Sequence, residues 1–404
     1  MVYLNDCGIV CAIGNSHSEI KDQLWHRVQS GVTLTDACSP GFVLPLGRIS
    51  QQSEAQLPSM AHWPIQCQSR NNQLALAALA QIRPTVDAAI EQFGPDRVGL
   101  VIGTSTSGIA NTERALRQYL RDGTMPPTFH YAQQEMGSPA MTLAIELNVS
   151  GPAYVHSSAC ASSGKAFASA ARLINMGLCD AVICGGVDSL CAFTVAGFSA
   201  LESVSSTLCN PLSLHRDGIN IGEGAALFLM SRTATTVALC GWGESSDGHH
   251  MSAPDPAGKG AQRAIKEALQ RAGVLPEQID YINMHGTATV QNDAMESHVI
   301  AELFGCGVAV SSTKPFTGHA LGAASAIEAA LCWLMMQDDN DSGKLPAHLW
   351  DGQRDPALPA LNVVESGAQL NRPVQWALSN SFAFGGSNVA LIFGRTNEKN
   401  RECA

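Results

Sequence analysis

Two stretches of this chain follow one plan. AYVHSSACASSGKAFASAARLINMGL (153–178) passes from an apolar run through small polar residues into an alanine-rich helix. VAVSSTKPFTGHALGAASAIEAALCWLMM (308–336) does the same. Self-similarity of this kind implies a duplicated α/β unit, with the join near residues 230–255. The surrounding pattern agrees. Short apolar or β-branched runs (97–103, 181–186, 225–230 and 389–394) alternate with segments whose apolar residues return at helical spacing, notably 71–93 and 260–273. Alternation of this type predicts α/β layers with strands buried on both faces.

At 404 residues the chain can bury a large core, as one big domain or two fused ones. Its hydrophobic share of 45% against a charged share of 15% predicts extensive burial, part of it against another subunit. With 24 basic and 35 acidic residues the formal charge is −11, and no basic stripe is present. That argues against nucleic-acid binding. The opening MVYLNDCGIVCAIGN lacks the basic and long apolar regions of a secretory signal, and no apolar run reaches membrane-spanning length. Thirteen scattered cysteines form neither paired zinc spacings nor a disulfide framework, so the reading is a reduced, cytoplasmic enzyme.

Among those cysteines Cys160 has a distinctive setting. It lies where a helix would begin, followed by the small residues Ala161, Ser162, Ser163 and Gly164. Unpaired N–H groups at a helix start favour a thiolate, and small neighbours let a substrate approach. Cys7, Cys67, Cys240 and Cys332 read instead as buried core thiols. His285, in NMHGTATVQND, and His319, in TKPFTGHALG, follow apolar runs and sit in small-residue turns, with Lys314 five positions before the latter. Either histidine alone reads equally well as a turn residue. Together they could aim two nitrogens at one thioester carbonyl and stabilise the charge on its oxygen. His156, His249 and His250 lack such a context. The glycine clusters at 103–110, 222–226 and 241–248 do not complete a nucleotide-binding pattern and read as turns or close packing. The RDGINIGEG segment reads as lining the site's neighbourhood, with Asp217 and Glu223 held in turns.

Five motifs, SSACASSGKA, HRDGINIGEG, NMHGTATVQND, SSTKPFTGHALGAASAIE and SNSFAFGGSN, occur in the order found in the elongating β-ketoacyl-carrier-protein synthases. The chain resembles these condensing enzymes of the thiolase superfamily from CGIVCAIGN to VALIFG near its end. The resemblance implies an α/β fold, a thiolase-like αβαβα layered sandwich built from two related halves. Residues 1–240 would carry the nucleophilic cysteine and 241–404 the two histidines. Position by position, it implies that Cys160 is the acylated nucleophile and His285 and His319 the paired catalytic histidines. Lys314, Glu328, Asp293 and Glu296 would support them, and Thr287 and Thr289 would bind the pantetheine arm. Phe384 would be the gating aromatic, its N–H forming an oxyanion hole with that of Cys160. The substrates would arrive on the phosphopantetheine of an acyl carrier protein, and neither an intrinsic cofactor nor a metal is expected. The protein would work as a dimer, with itself or with a chain-length-factor-like ketosynthase subunit.

The two-histidine pattern sets the chain apart from thiolases and from initiating synthases, and retention of Cys160 sets it apart from a noncatalytic chain-length subunit. Three departures remain. The loop usually read as GFGG is Ala383-Phe384-Gly385-Gly386, Ser213 stands where aspartate is frequent, and Thr106 occupies a position near the family's acyl tunnel. With the economical length, these resemble the ketosynthases of bacterial aryl polyene pathways. Fatty-acid elongation by the same chemistry is one alternative. A scaffold or chain-length subunit that binds carrier protein without making a bond is another.

Overall fold

The computed structural model describes residues 1–396. Ten strands carry the architecture: β1 (Val2–Val10), β2 (Val98–Gly103), β3 (Ala153–His156), β4 (Ala181–Asp188), β5 (Gly224–Ser231), β6 (Val237–Ser246), β7 (Tyr281–Asn283), β8 (Ala309–Ser311), β9 (Trp376–Ala383) and β10 (Ser387–Arg395). They form two leaflets of identical order, β3-β2-β4-β5-β1 and β8-β7-β9-β10-β6. Strand directions repeat too. β2 runs parallel to β3 and β4, while β4, β5 and β1 are successively antiparallel. In the second leaflet β7 runs parallel to β8 and β9, while β9, β10 and β6 are successively antiparallel. The leaflets join where Val2 and Tyr3 of β1 pair with Leu239 and Ala238 of β6. The boundary expected after residue 240 falls inside β6. A two-residue strand, Asn362–Val363, extends the far edge beside β8.

Eight longer helices complete the layers: α1 (Arg70–Phe93), α2 (Ile109–Asp122), α3 (Ser138–Leu147), α4 (Ser162–Asn175), α5 (Ala192–Ala200), α6 (Lys259–Ala272), α7 (Val290–Phe304) and α8 (Ala324–Met335). The segments read as helices at 71–93 and 260–273 are α1 and α6. Ser69 caps α1 by accepting the Asn72 N–H, which satisfies one of the helix's unpaired donors. α1 and α3 cover the outer face of the first leaflet, and α6 packs on that of the second. α4 and α8 lie between the leaflets and touch strands of both. Every residue of α8 is buried. Its sequence, ASAIEAALCWLM, explains that position, because a helix apolar all round has no face to offer water. Its one charged residue, Glu328, therefore needs a specific partner.

This is a mixed α/β architecture with a large sheet flanked and interleaved by helices, as expected of a thiolase-like sandwich. Among the described residues, no helix is long and apolar enough to cross a membrane.

The second leaflet requires α6 to lie almost on β6. A Cβ at Gly243 would stand 1.9 Å from the Ala264 carbonyl oxygen. Gly243→Ala is accordingly expected to destabilise the fold by about 1–3 kcal/mol through overpacking. Gly307, with open space around its Cα, should accept alanine within about 0.5 kcal/mol. Urea denaturation of the two variants beside the parent protein would measure this, and equal midpoints would refute the packing argument.

Candidate active site

Parallel strands deliver their side chains and loops to one end of a sheet, and the carboxyl ends of both leaflets converge at the seam between them. β3 leads into Cys160, β7 ends two residues before His285, β8 leads to Lys314 and His319, and β9 ends immediately before Phe384.

Cys160 precedes Ala161, the N-cap of α4. The chain turns there by placing Ala159 at φ 47°, a left-handed conformation that costs a non-glycine residue on the order of 1–3 kcal/mol. Ser162 fastens the elbow. It accepts the Ser158 N–H at 2.8 Å, and its hydroxyl donates to the Ala159 carbonyl at 2.6 Å. Gly103 lets the helix start approach β2, since a Cβ would lie 2.3 Å from the Ser163 nitrogen.

The Cys160 Sγ lies 3.0 Å from His319 Nε2. The His285 ring stands edge-on to His319 with centroids 5.4 Å apart, and the three side chains bring their ligand-type atoms within 4.8 Å of one another. His319 is held through its backbone: its N–H donates to the Asn220 carbonyl at 2.6 Å, and its own carbonyl accepts the Gly222 N–H at 2.9 Å. Part of the RDGINIGEG segment thus supports a histidine more than ninety residues later. Asp217 lines the cleft, but Glu223 does not. It lies away from the cysteine in an ion pair with Arg70 at 2.9 Å.

His285 is fixed from behind. Glu296, on α7, accepts the N–H groups of His285 and Gly286 at 2.8 Å each. Burial pushes the Glu296 carboxyl up to about 7 despite these bonds. Asp293, one turn earlier, accepts the Leu212 N–H at 2.9 Å and the Ala288 N–H at 3.2 Å, so it holds the loop carrying Thr287 and Thr289. Those two hydroxyls lie 2.9 Å apart in the cleft. Lys314 Nζ is 3.4 Å from His285 Nδ1 and forms a buried ion pair with Glu328. An ammonium donating to Nδ1 leaves the ring proton on Nε2, the nitrogen free to serve as a donor.

Burial and the Lys314 charge hold both imidazoles well below the ordinary histidine value. Burial also pushes the Cys160 thiol up to about 12, against the opposing pull of Lys314 and of the Phe384 N–H, which points at the sulfur. The helix start expected to favour a thiolate is therefore outweighed by desolvation, and the resting pair is thiol and neutral imidazole. A cysteine and two histidines also make a conceivable metal donor set. Here the Lys314 ammonium beside one ring, together with a protonated thiol, opposes a cation. The same arrangement suits a nucleophile with an adjacent proton acceptor and a second N–H donor for a developing oxyanion.

A cleft of about 400 Å³ opens onto these three residues, bordered by Phe198, Thr287, Thr289 and Phe384. The Phe384 and Phe198 rings stand 5.5 Å apart. A larger hollow of about 1340 Å³, beside Arg70 and Glu223, contains none of the three. Thr106 is not part of the cleft wall. It is wholly buried, and its hydroxyl donates to Asp188 at 2.8 Å. The sequence reading did not single out Ser325, whose hydroxyl lies 3.2 Å from the Cys160 carbonyl, Ser381, which bonds Ser325, or Asn380, which reaches Glu296. All three lie in recognised motifs, but side chains of this kind acquire partners only when both leaflets are assembled. Phe198 carried no sequence signal.

The chain matches the family models "Beta-ketoacyl synthase, N-terminal domain" over residues 52–235 and "Beta-ketoacyl synthase, C-terminal domain" over residues 237–346. It is 31% identical over 342 residues to a 3-oxoacyl-[acyl-carrier-protein] synthase 2 of Staphylococcus aureus, an alignment covering 80% of this chain and 83% of that protein. Among solved structures, it is similar to the ketosynthase ApeO in complex with its chain length factor ApeC from Xenorhabdus doucetiae. The TM-score is 0.90 and the identity 42%, with 98% of each chain covered. It is also similar to the ishigamide ketosynthase/chain length factor, with TM-score 0.88, 27% identity, and 98% and 99% of the two chains covered.

Removing Lys314 would strand the Glu328 carboxylate in the core. Lys314→Met is expected to cost about 3–5 kcal/mol of stability, and Lys314→Met with Glu328→Leu to recover much of the loss. Chemical denaturation of the single and double variants would decide it, and equal stability of the two would contradict the pairing.

Proposed function

The chain belongs to the β-ketoacyl synthase family, a carbon–carbon bond-forming condensing enzyme, and on that premise we propose that it extends an aryl polyene chain carried on an acyl carrier protein. The observation carrying the mechanism is the 3.0 Å contact between His319 Nε2 and Cys160 Sγ, with His285 at its side. The chemistry has two halves. Cys160 attacks the thioester of an acyl carrier protein, its proton passing to His319. The N–H groups of Cys160 and Phe384 receive the oxyanion, and the carrier thiol leaves. Malonyl carrier protein then enters, its pantetheine arm held by Thr287 and Thr289. His285 and, once its remaining ring proton sits on Nε2, His319 donate to the thioester oxygen as carbon dioxide departs. The resulting enolate carbon attacks the acyl-Cys160 carbonyl and expels the Cys160 thiolate, which takes up one proton from water to restore the thiol, giving a β-ketoacyl carrier protein.

Lys314 maintains the Nε2–H tautomer of His285, Glu328 neutralises Lys314, and Glu296 and Asp293 hold the histidine and threonine turns. Phe384 gates the cleft between the two half-reactions. Loss of carbon dioxide drives bond formation, so the chain's own residues and the carriers' phosphopantetheine supply what the reaction needs. The enzyme would act in the cytoplasm.

The aryl polyene reading is supported by the likeness to ApeO and by the departures at Ala383 and Ser213. The related structures contain a chain length factor, and we assign this chain a partner of that type. β3 offers the seat. It is the free edge of its leaflet, and Tyr154 on β3 with Tyr131, Met141 and Ile145 nearby in sequence or on α3 expose apolar surface.

Intact-protein mass spectrometry tests the assignment. Incubation with aryl-polyenoyl carrier protein is expected to add the acyl mass to the parent protein, faster with the chain-length partner present, and not to Cys160→Ala. Preference for saturated chains without the partner would move the enzyme to fatty-acid elongation. No labelling in any arrangement would favour the scaffold. A pH profile provides a second check. Both imidazoles titrate well below 6.5 and stay neutral from pH 8 to pH 6. Any loss of condensation in that window is therefore expected to come from Glu296, whose carboxyl lies at about 7, and to disappear in Glu296→Gln measured relative to its own activity at pH 8. A loss with a midpoint near 6.5 that persists in Glu296→Gln would contradict the electrostatic reading.

A further inference from the structure

Asp188 is the last residue of β4 and is wholly buried, yet no ammonium, guanidinium or imidazolium partner is recorded for it among the described residues. Its carboxylate instead collects neutral donors from two distant parts of the chain. Oδ1 accepts the Thr104 hydroxyl at 2.6 Å, the Ser105 N–H at 2.8 Å, and the Thr106 N–H and hydroxyl at 2.9 and 2.8 Å. Oδ2 accepts the Ser105 hydroxyl and, at 2.6 Å, the N–H of Gly322.

Gly322 lies three residues beyond His319, in the single turn Leu321–Ala323 that feeds α8. Leu321 is held there at φ 48°, so the turn needs an external clamp. On its other side His319 is bound through its backbone to Asn220 and Gly222. α8 also brings Ser325 to the Cys160 carbonyl and Glu328 to Lys314. One carboxylate thus joins the loop after β2 to the turn that aims His319 and launches α8.

We infer that Asp188 is a positioning residue for condensation, the clamp that holds the His319 turn against the Thr104–Thr106 loop and so sets the His319–Cys160 contact. The inference rests on the functional reading above for its catalytic consequence, though not for its geometry. A carboxylate suits the task because it accepts at every lone pair. An amide in its place would turn an N–H₂ group toward at least two donors. The charge also bears on the site, since Asp188 opposes ionisation of the Cys160 thiol.

The test uses the full chain with any required partner. In Asp188→Asn the transacylation kcat is expected to fall about tenfold or more, because a displacement of even an ångström at a reacting pair is costly. KM for the acyl carrier should stay within about twofold, since the arm-binding threonines are untouched. Its crystal structure is expected to place His319 Nε2 beyond about 3.5 Å from Cys160 Sγ. Should Asp188→Asn fail to fold, Thr104→Val removes one bond to the same carboxylate and is expected to lower kcat with KM held, while Thr104→Ser restores it. An unchanged kcat, or an unchanged His319–Cys160 separation in a folded variant, overturns the inference. If the parent protein itself is not acylated, the functional reading has failed, and the crystal structures still decide whether Asp188 sets the contact.

Discussion

A buried ammonium ion survives in a protein core only beside a carboxylate, and the Lys314–Glu328 pair meets that condition at the seam of the two leaflets. Glu328 comes from a helix without a solvent-facing side, and Lys314 from the loop after β8. Their pairing fixes the register of that loop against α8, and Lys314 in turn reaches His285 Nδ1. Remaining ionised costs each partner several kcal/mol of hydration, which the mutual attraction offsets only when the contact is close. The pair therefore has little freedom to wander, and the histidine bonded to it shares that rigidity.

Desolvation also sets the chemical state of the nucleophile. A helix start contributes at most about 2 kcal/mol toward a thiolate. Raising a thiol from 9.0 to about 12 corresponds to roughly 4 kcal/mol in the opposite direction. Burial prevails, so Cys160 rests as a thiol against a neutral His319. The unacylated Cys160 is therefore held in its protonated, less nucleophilic form. Its reactivity depends on a positioned substrate and on donors already in place, among them the Phe384 N–H.

Much of the architecture was legible from local pattern. The duplicated strand-turn-helix plan of 153–178 and 308–336 corresponds to two leaflets with the same strand order, and α4 and α8 are the alanine-rich helices that end the two copies. Cys160, His285 and His319 stood out because each occupies a turn of small residues, a composition that only close approach requires. Asp188 and Asn220 were less visible. One ends a buried apolar strand, and the other acts through its backbone carbonyl, which any residue type would supply. Glu223 was placed near the site by its neighbours in RDGINIGEG, yet the strand that follows carries it toward Arg70.

The amino-acid sequence alone determined the layered α/β class, the duplicated strand-turn-helix plan and the residue types of the reacting group, because periodicity, turn composition and motif order are local properties. The tertiary structure decided which of those residues meet and in what protonation state. Cys160 and His319 are 159 positions apart, Lys314 and His285 are 29, and Asp188 and Gly322 are 134. Contacts across such spans, and the loss of water that sets the charges within them, arise only when the two leaflets close around α4 and α8.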